Sequence, residues 1–138
     1  MSKAARVSQA GTIAFRKNGD RLTVLLVRSK KDPAIFVFPK GHIEDDETPE
    51  ETAVRETWEE AGVTGTLGPR VGAPLEFESG RERVSVQYFV LRATADKPSP
   101  EGRDKRWMTI DAALRTLAFE NSREKLREAA ALWSRKPT

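Results

Sequence analysis

One helix near the middle of the chain is marked at both of its ends by the sequence. Thr48 can cap its first turn, Pro49 fits the first helical position, and Glu51 completes a capping box three residues after the cap. Gly62 is the residue type that most easily adopts the left-handed conformation in which helices end. The sequence therefore predicts a helix of about a dozen residues between Thr48 and Gly62.

Three glutamates on this helix are spaced so that their side chains share one face. Glu56, Glu59 and Glu60 stand at i, i+3 and i+4, and residues at this spacing are neighbours on a helix surface. Like charges this close repel one another, which favours a bound cation. Mg²⁺ and Mn²⁺ prefer carboxylate oxygens and keep water or substrate phosphate in their remaining positions. A solvated acidic face is the simpler alternative for the three glutamates taken alone.

The stretch from Gly41 to Val63, GHIEDDETPEETAVRETWEEAGV, resembles the Nudix box, GX5EX7REUXEEXGU, in which U is a bulky aliphatic residue. One position departs, because Thr57 stands where that family usually has Ile, Leu or Val. This is a packing position, so the departure concerns the local core more than the chemistry. With the rest of the box in register, we interpret the glutamates as a metal site. The matching residues are Gly41, Glu47, Arg55, Glu56, Glu59, Glu60, Gly62 and Val63.

The resemblance implies a role for each charged residue of the box. Glu56 and Glu60 are implied as the strongest metal ligands. Glu59 is implied as the general base, or as a ligand that orients the attacking water. Glu47 and Arg55 are implied to support catalysis by bracing the loop against the helix, since a guanidinium holds carboxylates in a planar fork. Some members use a further acid from outside the box, for which the candidates are Glu78, Glu82, Glu101 and Asp104.

The residues that lead into the box give a narrower resemblance. Phe38-Pro39-Lys40-Gly41-His42 is similar to the sequence found at this point in asymmetric diadenosine tetraphosphate hydrolases. The resemblance implies the backbone carbonyl of Lys40 as a further metal ligand, and its ammonium can reach substrate phosphate. For His42, the single histidine, a phosphate contact or an acid–base role stands against a loop residue that satisfies local hydrogen bonds. We favour the loop residue.

A second subgroup resemblance competes with the first. The sequence VTGTLG that starts at Val63, together with Arg81-Glu82-Arg83 and Lys105-Arg106-Trp107, is similar to diphosphoinositol polyphosphate phosphohydrolases. Those enzymes commonly cleave dinucleoside polyphosphates as well, so the two interpretations overlap. The residues that we expect to hold the substrate phosphates are Arg28, Lys30, Lys40, Arg81 and Arg83.

The rest of the chain is predicted to form strands, followed by two helices. Asn18-Gly19 is a hairpin signal between two strands, and residues 96–104 form a charged surface loop. This order predicts an α/β fold with a mixed sheet and helices on both faces. The resemblance implies a Nudix-type α/β/α sandwich with a loop–helix–loop box and a C-terminal helix, as a single domain over residues 1–138. The predicted strands are 9–16, 22–28, 36–38, one or two within 64–77, 84–93 and 106–110; the helices after the box are 112–117, capped by Asp111, and 122–133.

Charge and composition limit the classes of substrate and partner that we expect for this chain. The net charge is +3, yet the acids concentrate in residues 44–60, so the rest of the chain is more basic than the total suggests. A carboxylate–metal centre rimmed by basic side chains suits a polyphosphate. No dense basic run is present, so nucleic acid is expected only as a 5′-end substrate. The chain has no cysteine, no signal-like apolar segment and no apolar run of membrane-spanning length, from which we expect a cytoplasmic protein. The resemblance leaves a homodimer open.

We therefore predict a pyrophosphohydrolase, dependent on Mg²⁺ or Mn²⁺, that cleaves a phosphoanhydride bond by attack of water. The expected substrates are dinucleoside polyphosphates of the diadenosine tetra- to hexaphosphate type, or diphosphoinositol polyphosphates. The alternatives are an RNA 5′-pyrophosphohydrolase and a pyrophosphatase of ordinary or oxidised nucleoside triphosphates. The alternative outside enzymes is a Nudix-fold module that senses a nucleotide. Such modules typically lose box carboxylates, and this chain keeps them all.

Overall fold

The computed structural model describes residues 6–134, which form one mixed sheet with helices packed on it. No helix within these residues is long and apolar enough to cross a membrane. The helices are α1 (Pro49–Ala61), α2 (Ile110–Thr116) and α3 (Glu120–Ser134). The strands are β1 (Gln9–Asn18), β2 (Arg21–Arg28), β3 (Phe36–Val37), β4 (Lys40–His42), β5 (Val63–Arg70), β6 (Leu75–Ser79), β7 (Glu82–Asp96) and β8 (Lys105–Thr109).

The centre of the sheet is the parallel pair of β1 and β7, and every other pairing is antiparallel. β1 and β2 form the predicted hairpin, with Gly19 at a φ of 64° in its turn. β6 and β7 form a second hairpin at Gly80, where φ is 62°. Both turns need the left-handed backbone that glycine adopts without a steric cost.

Alternation along β1 directs its side chains to two separate cores. Ile13 and Phe15 belong to the large cluster that also contains Leu126 of α3. Ala10 and Ala14 face the other way, into the smaller clusters against α1. Because successive residues of a strand point to opposite faces, one strand supports helices on both sides. The predicted mixed α/β sheet with helices on both faces is confirmed.

Two local predictions were wrong. The segment after Pro39 was expected to be a loop, but Lys40–His42 is a strand paired with the start of β1. Pro39 has no N–H to donate, so it interrupts the extended segment between β3 and β4, while its carbonyl accepts from the Thr12 amide at 3.1 Å. The cap of α2 was assigned to Asp111, whereas Thr109 Oγ1 accepts from the amide of Ala112 at 3.2 Å. Threonine at the position before the helix satisfies that amide, and Asp111 lies inside the first turn.

The predicted ends of α1 are confirmed in detail. Thr48 Oγ1 accepts from the Glu51 amide at 3.1 Å, and the Glu51 carboxylate accepts from the Thr48 amide at 2.9 Å. Gly62 has a φ of 70° and donates its amide to the Trp58 carbonyl at 2.8 Å. These caps set the length of the helix and therefore the turn on which each glutamate lies.

A buried pair of threonine hydroxyls joins α1 to β1. Thr57, the one departure from the box, is fully buried, and its hydroxyl lies 2.7 Å from that of Thr12. Thr57 also donates to the Ala53 carbonyl at 2.7 Å, so its single proton is used there and Thr12 must be the donor to Thr57. The hydroxyl at position 57 is thus matched by a second hydroxyl on the neighbouring strand.

Candidate active site

β4 and α1 meet at Gly41, where the backbone approaches a carboxylate closely. A Cβ atom at Gly41 would lie 2.1 Å from the carboxyl carbon of Glu56. An added side chain would force the Glu56 carboxylate to move, so glycine is what permits this close approach. The carboxylate of Glu56 is consequently held against the backbone of β4.

The register of β4 directs its residues to two sides. Gly41 pairs with Ala10, which faces α1, whereas Lys40 and His42 pair with Gly11 and Gln9 on the opposite face. The amide of Thr12 bonds to Pro39, so the neighbouring pair of Lys40 with Gly11 is a non-hydrogen-bonded one. The amide and carbonyl of Lys40 therefore point away from β1.

Glu60 lies where the backbone of Lys40 points. Its Oε1 accepts from the Lys40 amide at 3.3 Å, and its Oε2 lies 3.4 Å from Nη2 of Arg103. Burial raises the pKa of Glu60 to about 7, opposed by Arg103 and reinforced by the charge of Glu56. Burial also raises the pKa of Glu56, opposed by Arg55. Two desolvated carboxylates thus lie side by side, and the charge of Glu56 disfavours a charge on Glu60.

Arg55 is the centre of a network of ion pairs. It holds Glu47 in a fork, with Nε at 2.6 Å and Nη2 at 2.8 Å from the two carboxylate oxygens. Its Nη1 donates to Glu56 at 2.9 Å and to Glu59 at 3.1 Å, and Nη2 also reaches the His42 carbonyl at 3.1 Å. The hydrogen bonds from Arg55 are the main reason that the pKa of Glu47 falls to about 2. Such contacts are what a bracing role for Glu47 and Arg55 requires; the catalytic roles stay predictions.

The donors around Glu56 and Glu60 are chemically suited to a hard divalent cation. Within residues 6–134, no three Asp, Glu or His side chains converge on one point, since Arg55 and Arg103 hold these carboxylates. The two carboxylates nevertheless lie together, and Glu60 accepts from the Lys40 amide on the side of β4 to which the Lys40 carbonyl also points. Carboxylate and carbonyl groups alike offer oxygen ligands. A cation there would offset the desolvation of both carboxylates and the repulsion that Glu56 exerts on Glu60. The set therefore fits Mg²⁺ or Mn²⁺.

A cleft of about 360 Å³ opens beside Glu60. Its lining includes Lys30, Lys40 and His42, which the sequence singled out, and Phe77. Nζ of Lys40 lies 5.4 Å from the centre of the Phe77 ring, and burial lowers the pKa of this ammonium. The lining also includes residues that sequence reasoning missed, namely Gln9, Lys31 and Arg103. The cleft thus joins several cations to the acidic pair.

Three of the five residues expected to hold phosphate do not line the cleft. Arg28 is turned to Asp104 at 2.9 Å and to the Pro33 carbonyl at 2.6 Å. Arg83 is paired with Glu76 of its own hairpin at 2.9 Å, and Arg81 is exposed at the turn of that hairpin. Only Lys30 and Lys40 of the expected set reach the cleft.

The four acids expected from outside the box differ in how near they lie to the candidate site. Glu82 lines the cleft, and Glu101 accepts from Nε of Arg103 at 2.9 Å, which places it one arginine away from Glu60. Glu78 and Asp104 form ion pairs with arginines at the surface. The structure therefore brings Glu82 and Glu101 closer to the candidate site than the other two.

The interpretation of His42 as a loop residue with local hydrogen bonds was wrong. It lies in β4, and within the described residues its imidazole makes no hydrogen bond. The ring lines the cleft instead. The backbone carbonyl of His42, and not its side chain, takes the bond from Arg55.

Known proteins resemble this chain in sequence and in fold. The NUDIX domain model matches residues 6–129, a range that includes β4 and α1. Diphosphoinositol polyphosphate phosphohydrolase 3-alpha of Mus musculus is 36% identical over 115 residues, which cover 79% of this chain and 68% of the relative. Nudix hydrolase 4 of Arabidopsis thaliana is 37% identical over 97 residues, covering 67% of this chain and 46% of the relative. The crystal structure of a C. elegans Ap4A hydrolase binary complex matches with a TM-score of 0.81 at 26% identity, covering 94% of this chain and 98% of that one.

Proposed function

The chain belongs to the Nudix hydrolase family, and from this premise we propose that it is a divalent-metal-dependent pyrophosphohydrolase of nucleotide or inositol polyphosphates. The observation that carries the proposal is the pair of desolvated carboxylates, Glu56 and Glu60, held against β4 at the edge of a basic cleft. A phosphoanhydride repels an attacking hydroxide, so its hydrolysis requires charge neutralisation and a positioned water. Acidic and basic groups in this arrangement supply both.

Glu56, Glu60 and the carbonyl of Lys40 are the groups that we propose to hold the metal, Mg²⁺ or Mn²⁺. Members of the family generally use divalent metals. A bound ion of this kind neutralises phosphate oxygens and acidifies the attacking water.

The chain's own side chains then position the reactants. Arg55 orients Glu59 through a single bond at 3.1 Å, which leaves the second carboxylate oxygen of Glu59 to accept a proton from water. The Glu59 side chain is 41% exposed, compared with 13% for Glu56 and 7% for Glu60, so it is the one of the three that solvent reaches most easily. We therefore assign the general base to Glu59.

The cations of the cleft hold the phosphates of the substrate in this proposal. Lys30, Lys31, Lys40 and Arg103 line it together, and Arg103 can exchange a carboxylate partner for a phosphate because a guanidinium pairs with either. The substrates proposed are dinucleoside polyphosphates or diphosphoinositol polyphosphates. The names of the C. elegans and Mus musculus relatives support this choice.

The test is hydrolysis of a substrate panel with Mg²⁺ present and then removed by a chelator. The panel holds diadenosine tetra- and hexaphosphate, a diphosphoinositol polyphosphate, ordinary and oxidised nucleoside triphosphates, and 5′-triphosphorylated RNA. We expect clear preference for one of the first two classes and no turnover without metal. Nucleotide binding without turnover across the panel would instead identify a sensing module.

Single substitutions test the roles proposed for the glutamates of α1. Glu59→Gln should lower kcat by on the order of 10²–10⁴, the usual contribution of a general base. Glu60→Gln should abolish the activity and weaken Mn²⁺ binding. The matched control is Glu50→Gln, an exposed acid in the first turn of the same helix. Equal losses in the control and in Glu59→Gln would contradict the assignment.

A further inference from the structure

Gln9 is a buried amide whose oxygen has no partner. The residue is 8% exposed and lines the cleft, and no donor within residues 6–134 lies within hydrogen-bonding distance of Oε1. Buried polar side chains almost always have a hydrogen-bond partner, because an unpaired one lowers stability. Within the part of the chain that the structure describes, the oxygen of this cleft residue therefore lacks the donor that it requires.

The sheet places Gln9 among residues that already belong to the site. On one side it pairs with Val86 of β7 in parallel register, and on the other with His42 of β4. The pair with His42 is a non-hydrogen-bonded one, in which the two side chains lie closest together. Lys40 follows on the same face of β4, two residues from His42. Gln9 thus lies on the strand that neighbours Lys40, at the side of the basic part of the cleft.

The chemistry of a carboxamide differs from what phosphate requires. Phosphate oxygens are acceptors, and the four cations of the cleft already serve them. An amide presents a donor and an acceptor side by side, and this holds for either orientation of the Gln9 amide group. The edge of adenine presents the complementary pair, an amino donor beside a ring nitrogen, and glutamine binds it through two bonds.

The walls near Gln9 suit a flat ring. Phe77 and Val84 face each other across the β6–β7 hairpin, and both line the cleft. The ammonium of Lys40 lies 5.4 Å from the centre of the Phe77 ring, so phosphate and aromatic surfaces adjoin. Ring and phosphate groups of one nucleotide would find matching surfaces here.

We propose that the Gln9 carboxamide recognises the adenine edge of a nucleoside polyphosphate and makes this residue a determinant of substrate class. The inference rests on the proposed function, since it concerns the same cleft. It favours dinucleoside polyphosphates over a fully phosphorylated inositol, whose ring carries only phosphate groups.

The experiment compares two substrates that differ by one amino group: diadenosine tetraphosphate, and its counterpart with purine in place of adenine. Gln9→Met keeps the length of the side chain and removes its polar atoms. We expect KM for the adenine substrate to rise at least about tenfold with kcat nearly unchanged, as the loss of two buried hydrogen bonds implies. KM for the purine substrate should rise less, by about threefold, because the purine edge keeps the ring nitrogen but lacks the amino donor.

A matched substitution controls for nonspecific effects. Gln87→Met removes another buried glutamine, one whose amide bonds to the Tyr88 carbonyl at 3.0 Å and does not line the cleft. It should lower the thermal midpoint without changing the ratio of the two KM values. Gln9→Met should not lower the midpoint, because it removes an unpaired group.

Binding separates this inference from the proposed function. Calorimetry with methylene-bridged, non-hydrolysable analogues of both substrates needs no turnover. A wild-type preference for adenine that Gln9→Met abolishes would support the inference even if nothing were hydrolysed. The inference would be overturned if Gln9→Met changed the dissociation constants of both analogues equally, or changed neither. It would also be overturned if the wild-type protein bound both analogues equally well, a result that needs no variant.

Discussion

Replacing Thr57 by valine should destabilise this protein more than replacing Thr12, although both residues are fully buried threonines. The hydroxyls form a chain in which Thr12 donates to Thr57 and Thr57 donates to the Ala53 carbonyl. Valine has the shape of threonine without the hydroxyl, so each substitution removes hydrogen bonds and leaves packing nearly intact. The two substitutions differ in what they leave unpaired.

The expected loss of folding free energy for each variant follows from this series of hydrogen bonds. Thr12→Val leaves Thr57 bonded to Ala53, so its cost is that of one lost bond, about 0.5–1.5 kcal/mol. Thr57→Val leaves the Thr12 hydroxyl buried without a partner, which costs about 1–3 kcal/mol. The double variant leaves no hydroxyl unpaired. It should be less destabilised than the sum of the single variants by at least about 1 kcal/mol.

Urea unfolding of the wild type, the two single variants and the double variant measures this double-mutant cycle, provided that the m-values agree. Free energies that add to within about 0.5 kcal/mol, or a larger loss for Thr12→Val than for Thr57→Val, would refute the reasoning. The pair joins α1 to β1, and β1 carries β4. The double variant should therefore keep the site in place and retain hydrolysis.

Three further predictions concern the site and its support. Gly41→Ala would place a Cβ atom 2.1 Å from the carboxyl carbon of Glu56, so Mn²⁺ affinity should fall at least about tenfold; unchanged affinity in a titration would disprove the close approach. Arg55 lowers the pKa of Glu47 from 4.5 to about 2. Between these two pH values the folded state therefore binds fewer protons than the unfolded state. Stability should therefore fall as the pH drops through this range, and Glu47→Gln should flatten the dependence of the urea midpoint on pH; a parallel curve would contradict the pairing. Lys125 is 8% exposed and donates to two carbonyls of the bend between β5 and β6, so Lys125→Met should cost about 1–3 kcal/mol in urea unfolding, and a neutral result would show that the bend is held otherwise.

The helix of the box could be predicted from the sequence because its determinants are local. Thr48, Glu51 and Gly62 act within one turn of the residues that they cap, and the spacing of the glutamates follows from the helical repeat alone. The pairing of Glu47 with Arg55, expected from the resemblance, is present. The three-residue strand β4 was missed because so short a segment is extended only through its partner, β1.

The residues that we expected to bind phosphate show where prediction from sequence ends. Arg28 and Arg83 have the right charge, but their ion pairs hold them outside the cleft, and Arg81 lies in an exposed hairpin turn that does not line it. Gln9 and Arg103 lie in segments far apart in the chain, and neither belongs to a recognisable motif. Charge identifies candidates, whereas the register of a sheet decides which of them face the same space.

The sequence by itself determined the length of α1, the face on which Glu56, Glu59 and Glu60 lie, and the family to which the chain belongs. These follow from backbone preferences and side-chain periodicity, which act over a few residues. Only the tertiary structure decided that the amide of Lys40 points toward Glu60 and that Gln9 lies in the cleft. Both depend on how β4 and β7 pair with β1, and strand pairing is set by burial across the whole sheet and not by any single segment.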